Sequence, residues 1–171
     1  MSPSPFVAEW VRRLTPRARH ARALDVAMGR GRHAVLLARA GFRTFGVDLK
    51  WDAVRDAMSA ASAESVVVLG WCADLTRSPL PRGRFDLIVV TRYLQRDLFP
   101  SLRAAVAPNG VILYETFTVV QRAHGRGPTS PDHLLEPGEL ARLFDGFEVA
   151  FYEEVPEPDA LARIVAKKRS A

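Results

Sequence analysis

Between Leu24 and Ala34 the chain reads LDVAMGRGRHA, which puts an aspartate, Asp25, just ahead of glycines at 29 and 31 and an alanine at 34. Glycines at that spacing let a backbone turn tightly and let a ligand approach with no side chain in between. A helix opening directly after them aims free N–H groups and its positive dipole end outward, which suits a phosphate or a carboxylate. Further acids close later apolar runs: Asp48 follows TFGV, and Asp74 stands in Cys72-Ala73-Asp74-Leu75. An acid at the first of these places accepts both hydroxyls of a ribose. One at the second either accepts from an adenine amino group or caps its own turn.

Asp48 alone fits a nicotinamide or an adenosyl cofactor. Asp25 discriminates between them, because a carboxylate beside the loop repels a pyrophosphate and favours an ammonium or a sulfonium. S-adenosyl-L-methionine has both of those cations, together with a carboxylate for the helix N-terminus. A small NAD(P)-dependent oxidoreductase remains the alternative that the glycine loop and Asp48 support, with Asp25 against it.

The elements that must carry these residues alternate. Ala23–Ala27, Thr44–Val47, Ser65–Gly70, Phe85–Val90 and Val111–Phe117 read as strands, and His33–Ala40, Trp51–Ala61 and Leu94–Val106 as helices. The stretch ADLTRSPLPRGR, with two prolines and a glycine, reads as a loop, and Pro108-Asn109-Gly110 as a turn into the fifth strand. Glu139–Phe144 reads as a short helix, then Phe147–Val155 and Ala160–Lys167 as two strands broken by Pro156-Glu157-Pro158-Asp159. This is an α/β pattern: a doubly wound, mostly parallel sheet with a C-terminal antiparallel hairpin. In such a sheet ligands lie outside the carboxyl ends of the strands, where Asp25, Asp48, Asp74 and Thr91 all fall. The expected organisation is one domain over 1–171, with an N-terminal helical leader at 1–22 and an active-site lid at 118–137.

Leu24–His33, Gly46-Val47-Asp48, Ala73-Asp74-Leu75, Phe85–Val90 and Pro108-Asn109-Gly110 resemble, in order and spacing, the motifs of class I S-adenosylmethionine-dependent methyltransferases. The resemblance covers roughly Ala23 to Lys167. It implies the seven-stranded Rossmann-like fold, methyl transfer, and S-adenosyl-L-homocysteine as the cofactor product. It gives Asp25, Ala27, Gly29, Gly31, Asp48, Leu49, Ala73, Asp74, Leu75 and Thr91 as cofactor-binding residues. The G-R-G-R segment and Tyr114-Glu115-Thr116-Phe117 look most like the small bacterial methyltransferases of the tellurite-resistance type. Two departures stand out: Ala27 replaces the glycine that usually opens the loop, and Met28 stands where cysteine is common. Alanine there is tolerable if the residue keeps a negative φ. Thr91-Arg92-Tyr93-Leu94 occupies the place of an N-P-P-Y motif, which argues against methylation of a nucleobase or amide nitrogen.

In-line displacement from a sulfonium releases a neutral leaving group, so alignment and exclusion of water supply much of the catalysis. No residue is required as acid or base. The candidates for positioning are Arg92, Tyr93, Tyr114, Thr116 and Arg30; His33 is a candidate base against the reading of a solvent-facing helix residue, and Gln121 and His124 lie in the lid. Trp51 packs either near the adenosine or between helix and sheet. The acceptor implied is a small molecule, anionic or soft: a thiol, selenium or tellurium species.

Composition narrows the rest. The chain has 171 residues, a net charge of +5 and a single cysteine, Cys72, so it has no internal disulfide. Its four histidines show no metal-ligand spacing, and no metal is expected. No apolar run spans a membrane and no signal peptide opens the chain, which makes the expected location cytoplasmic. The basic cluster Arg12, Arg13, Arg17, Arg19 and Arg22 is not interleaved with aromatic residues, so nucleic acid is a weaker partner than a small molecule. An RNA methyltransferase, or a non-catalytic protein binding the cofactor or RNA, is the remaining alternative.

Overall fold

The computed structural model describes residues 2–14 and 20–170; Arg17 and Arg19 lie outside the described residues. Helix α1 (Pro5–Arg13) starts where the Ser4 hydroxyl accepts the Val7 N–H and Pro5 fixes the first turn. There follow β1 (Arg22–Val26), α2 (Arg32–Arg39), β2 (Arg43–Asp48), α3 (Trp51–Ala63), β3 (Val68–Cys72) and β4 (Phe85–Thr91). The chain continues with α4 (Phe99–Ala105), β5 (Val106–Phe117), α5 (Glu139–Leu143), β6 (Glu148–Val155) and β7 (Leu161–Lys167). Among the described residues of the leader, the helix covers Pro5–Arg13, and Arg22 already belongs to β1.

All seven strands form one sheet in the order β3-β2-β1-β4-β5-β7-β6. The first five run parallel, and β7 is antiparallel to both β5 and β6. Strand β4 sits in the middle, covered on both faces, which is why it reads as the unbroken apolar run Leu87–Val90. On one face α1, α2 and α3 bury Leu87, Val89 and Leu113 together with Phe6, Val7, Leu37 and Val54. On the other, α4 and α5 enclose Ile88, Val90, Ile112 and Tyr114 with Phe99, Leu102 and Phe144. Strand order reverses between β1 and β4, so their carboxyl ends flank a crevice that no strand fills.

Several boundaries differ from the sequence expectations. Ser65 takes a left-handed turn (φ 57°) at the exit of α3, so β3 begins at Val68 rather than Ser65. The helix expected at Leu94–Val106 is confined to Phe99–Ala105 behind a short 3-10 turn at Arg96–Leu98. Pro100 is the cause: it is tolerated in the first turn of a helix and excluded from the interior. Strand β5 takes in Pro108-Asn109-Gly110 as an irregularity, because Val106 pairs with Phe85 before the register shifts. Segment 118–137 holds 3-10 turns at Val119–His124 and Pro131–His133, and Thr118 bridges Leu135. Among the described residues, no helix is long and apolar enough to cross a membrane.

Candidate active site

Strand β1 delivers Asp25 into the crevice with only 1% of its surface exposed. Its Oδ2 accepts the Ala34 N–H at 2.9 Å and so caps α2 from a neighbouring strand, while Oδ1 is buried with no partner among the described residues. Burial pushes this carboxyl up to about 7, against the Ala34 N–H and the nearby Arg32 guanidinium. A cation placed against Oδ1 would restore the charged form.

The loop between β1 and α2 divides the work of its glycines. At Gly29 (φ 53°) an added Cβ would meet nothing within 4 Å, so the backbone stands open to a ligand. At Gly31 (φ 81°) an added Cβ would meet the Ala57 Cβ at 2.6 Å, so this glycine lets α2 close on α3. Ala27 does not meet that condition: its φ is +53°, in the left-handed region that costs a side-chain-bearing residue energy. Where the loop usually has glycine, the chain holds an alanine under strain. Asp48, at the end of β2, is half-buried and structural as well as available: its two oxygens accept the Gly29 and Lys50 N–H groups, both at 2.9 Å. Beyond it Leu49 and Trp51 are solvent-exposed, Trp51 at 62%, which removes the reading of Trp51 as a helix-to-sheet core residue. Asp74 caps its own turn by accepting from the Thr76 N–H and hydroxyl, and those bonds hold its carboxyl below the usual range. Ala73 and Leu75 flank it, half-buried against the core.

His33 is neither solvent-facing nor free to act as a base. It is buried, its Nε2 accepts the Ser4 N–H at 3.0 Å, and Nδ1 lies 3.2 Å from the Thr91 hydroxyl. With Nε2 as acceptor, Nδ1 must hold the proton and donate to Thr91. Burial, with Arg32 and Arg92 adding repulsion, pushes the ring down to about 3, so it is neutral at physiological pH. Tyr114 is a core residue, stacked on Phe99 at 5.3 Å with its hydroxyl donating to the Tyr93 carbonyl at 2.7 Å. Tyr93 is half-buried, its hydroxyl bonded to Gln95 and held above its ordinary range by burial and by Asp97, Asp74 and Asp48. Thr116 is buried, with its hydroxyl unpartnered among the described residues.

Arg92 directly follows β4 with φ +53° and donates to Asp159 at 2.8 Å while lying over the Phe117 ring. Asp159 also pairs with Arg126 at 3.1 Å, which ties the hairpin of β6 and β7 to segment 118–137. Gln121 is buried away from the crevice, accepting the Ala160 N–H at 2.7 Å and donating to the Arg126 carbonyl; His124 is half-buried in the same segment. Arg30 is exposed, 3.7 Å from Asp56.

A cavity of about 790 Å³ runs from the loop along α2, bounded by Gly29, Arg32, His33, Thr91 and Arg92, with Pro3 at its edge. Asp25, Asp48, Leu49 and Ala73–Leu75 are not among the residues that line it. The involvement of Pro3 and Ser4 has no signal in the sequence, because only the tertiary fold returns them to the loop.

Residues 23–110 match the methyltransferase domain family. The chain belongs to the S-adenosylmethionine-dependent methyltransferases of class I. No curated protein matches the sequence. Among solved structures, an S-adenosylmethionine-dependent methyltransferase from Mesorhizobium loti is 21% identical, with 94% of this chain and 98% of that one covered and a TM-score of 0.74. One from Methanosarcina mazei is 16% identical over 100% of both chains, with a TM-score of 0.74. TehB from Haemophilus influenzae is 15% identical over 98% of this chain and 63% of that one, with a TM-score of 0.77. At these identities the likeness is one of fold. The family match selects the methyltransferase reading over the nicotinamide one, and S-adenosylmethionine is the cofactor. The residues of this methyltransferase fit it: Asp25 Oδ1 is an orphaned buried acceptor beside the loop, and the backbone at Gly29 is uncovered.

Proposed function

We propose that this methyltransferase acts on a small anionic or soft nucleophilic acceptor, a thiolate or a reduced selenium or tellurium anion, and that it works by positioning. The observation that supports this reading is the lining of the cavity, where Arg30, Arg32, Arg39 and Arg92 face a single carboxylate, Glu64. Arg39 pairs with Glu64 and Arg92 with Asp159, whereas Arg32, half-buried, has no ion-pair partner among the described residues. Converging guanidinium groups concentrate an anion from solution and hold it by charge-assisted hydrogen bonds. Both ring nitrogens of His33 are engaged, so the cavity offers no base at its centre. An acceptor that arrives with a free lone pair needs none.

When bound, the cofactor supplies a methyl group on a sulfonium centre that departs as a neutral thioether. Asp25, Ala27, Gly29 and Gly31 would hold its aminoacyl end, Asp48 its ribose, and Leu49, Ala73, Asp74 and Leu75 its adenine, with Thr91 closing the floor. Arg92 and Tyr93 would orient the acceptor from the end of β4. The resemblance to tellurite-resistance-type enzymes favours the same acceptor class.

Two experiments test this. Calorimetric titration with S-adenosylmethionine and its demethylated product should show micromolar binding that Asp48→Ala abolishes. Methyl transfer from labelled cofactor should then be measured on thiols, selenide, telluride and RNA. Turnover of the anionic acceptors is expected, with KM raised about tenfold and kcat little changed in Arg32→Gln, the loss of one charge-assisted contact. Methylation of RNA alone, or equal use of neutral and anionic acceptors, would overturn the acceptor assignment and leave the cofactor assignment standing.

A further inference from the structure

We propose that the sheet face left open beside β3 and β2 is a docking surface for single-stranded RNA, separate from the methyl-transfer site. Doubly wound sheets are ordinarily covered on both faces by their crossover helices. Here the connection from β3 to β4 forms no helix, because Pro79, Pro81 and Gly83 interrupt it. Leu80 tucks into the core, and the rest leaves a recess of about 350 Å³ lined by Arg22, Phe45, Trp71, Pro81, Arg84 and Phe85. That volume is in the range of small-ligand sites.

Register puts Phe45 opposite Leu69 and Val47 opposite Trp71, so these four side chains share one face of the sheet. Leu69 is 38% exposed there, and Phe45 and Trp71 are half-buried. Phe45 meets the edge of Phe85 at 5.8 Å, and the Arg43 guanidinium lies 5.5 Å above the Phe45 ring. Arg22, Arg43 and Arg84 have no ion-pair partner among the described residues. The adjacent carboxylate, Asp86, accepts the Arg22 backbone N–H at 2.7 Å. The surface thus sets the half-buried rings of Phe45 and Trp71, with Phe85 buried at the Phe45 edge, beside guanidinium groups that have no ion-pair partner among the described residues.

That is the chemistry of single-strand recognition, in which bases stack on rings and phosphates meet arginines. An acidic peptide would use the arginines and leave the rings idle. RNA is favoured over DNA because it ordinarily presents unpaired bases in loops and ends. In the sequence Arg22, the Arg43–Phe45 pair, Trp71 and the Arg84–Phe85 pair lie far from one another, and only the parallel register brings them to one face. Asp25 and Asp48, by contrast, mark the carboxyl ends of β1 and β2, whereas Arg22 and Phe85 open their strands.

The test is fluorescence anisotropy of a labelled ten-nucleotide uridine-rich RNA with the full chain at several salt concentrations. DNA of the same sequence and a polyglutamate peptide serve as comparators. Binding of RNA in preference to both is expected, falling linearly in log–log form with salt. Trp71→Ala should weaken it about tenfold and Trp71→Phe should preserve it. Arg43→Ser and Arg84→Ser, both exposed positions, should each reduce the salt slope by about 1. Asp48→Ala should leave RNA binding unchanged. The proposal is overturned if the peptide or DNA binds as well as RNA, if the arginine variants keep the full slope, or if the cofactor or Asp48→Ala displaces the RNA.

Discussion

Asp25 and His33 are both buried at the start of α2 and pull the pH dependence of stability in opposite directions. Asp25 ionises near 7 when folded and near 3.8 when not, so the folded state holds an extra proton between those values. Its contribution to stability is complete below about 3.8 and is lost as pH rises through about 7. His33 titrates near 3 when folded against 6.5 when unfolded, so its contribution is complete above 6.5 and is lost as pH falls toward 3. Asp25→Asn keeps an acceptor for the Ala34 N–H and removes the first effect only. Its melting temperature should therefore climb with pH between about 4 and 6.5 more steeply than the wild type's and exceed the wild type's at pH 8, while cofactor affinity falls. A variant profile parallel to the wild type would refute the buried ionisable Asp25. Ala27 gives a second test at this scale. Glycine relieves left-handed strain of about 1–2 kcal/mol against about 0.5–1 kcal/mol of added unfolded-state freedom, so Ala27→Gly should raise the denaturation midpoint slightly. The acids and the glycine loop were legible because each residue type states its chemistry. The φ of Ala27 was not, since it depends on where α2 must point.

At the scale of elements, Met28 explains a coupling between three positions. An added Cβ at Gly46 of β2 would meet the Met28 Sδ at 2.0 Å, and one at Gly70 of β3 would meet its Cε at 3.2 Å. Gly46 and Gly70 are register partners, so the long thioether lies across a groove that two adjacent strands leave for it. Where cysteine is common in the loop, methionine is accommodated by the missing side chains beneath it. Gly46→Ala should then cost about 1–3 kcal/mol from overpacking. Combined with Met28→Ala, it should cost clearly less than the sum of the single changes, a coupling readable in a denaturant double-mutant cycle. Additive costs would show that Met28 does not occupy the groove. The strands themselves were legible from short apolar runs ending in acids or glycines. Their edges were not: β5 extends through Pro108-Asn109-Gly110 because Val106 finds Phe85 across the sheet, a pairing no local pattern announces.

The whole molecule closes on its site from both ends of the described chain. The hairpin of β6 and β7 reaches it through Asp159, which holds Arg92 and Arg126, and Glu115, Arg163 and Glu153 form a charge ladder across β5, β7 and β6 behind it. The N-terminal side reaches it through Ser4, whose N–H occupies His33 Nε2 while α1 buries Phe6, Val7 and Val11 against the sheet. Neither closure was visible in the sequence, since each joins residues far apart by way of a neutral, buried hydrogen bond or a rim ion pair. The Ser4 contact can be cut by proline. Its φ of −58° is one that proline adopts, but the ring Cδ takes the place of the hydrogen that points at His33 Nε2 from 3.0 Å, so Ser4→Pro removes the N–H and the hydroxyl cap and also presses on the imidazole. The lone pair of His33 is then buried without a donor, a loss of about 1–3 kcal/mol. Amide exchange in α1 should accelerate, because its docking loses both the cap and the anchor. The His33 ring should admit water and titrate by NMR closer to its ordinary 6.5. If the variant keeps wild-type exchange in α1 and an untitrating His33, then α1 docks through its apolar face alone and Ser4 does not hold the imidazole.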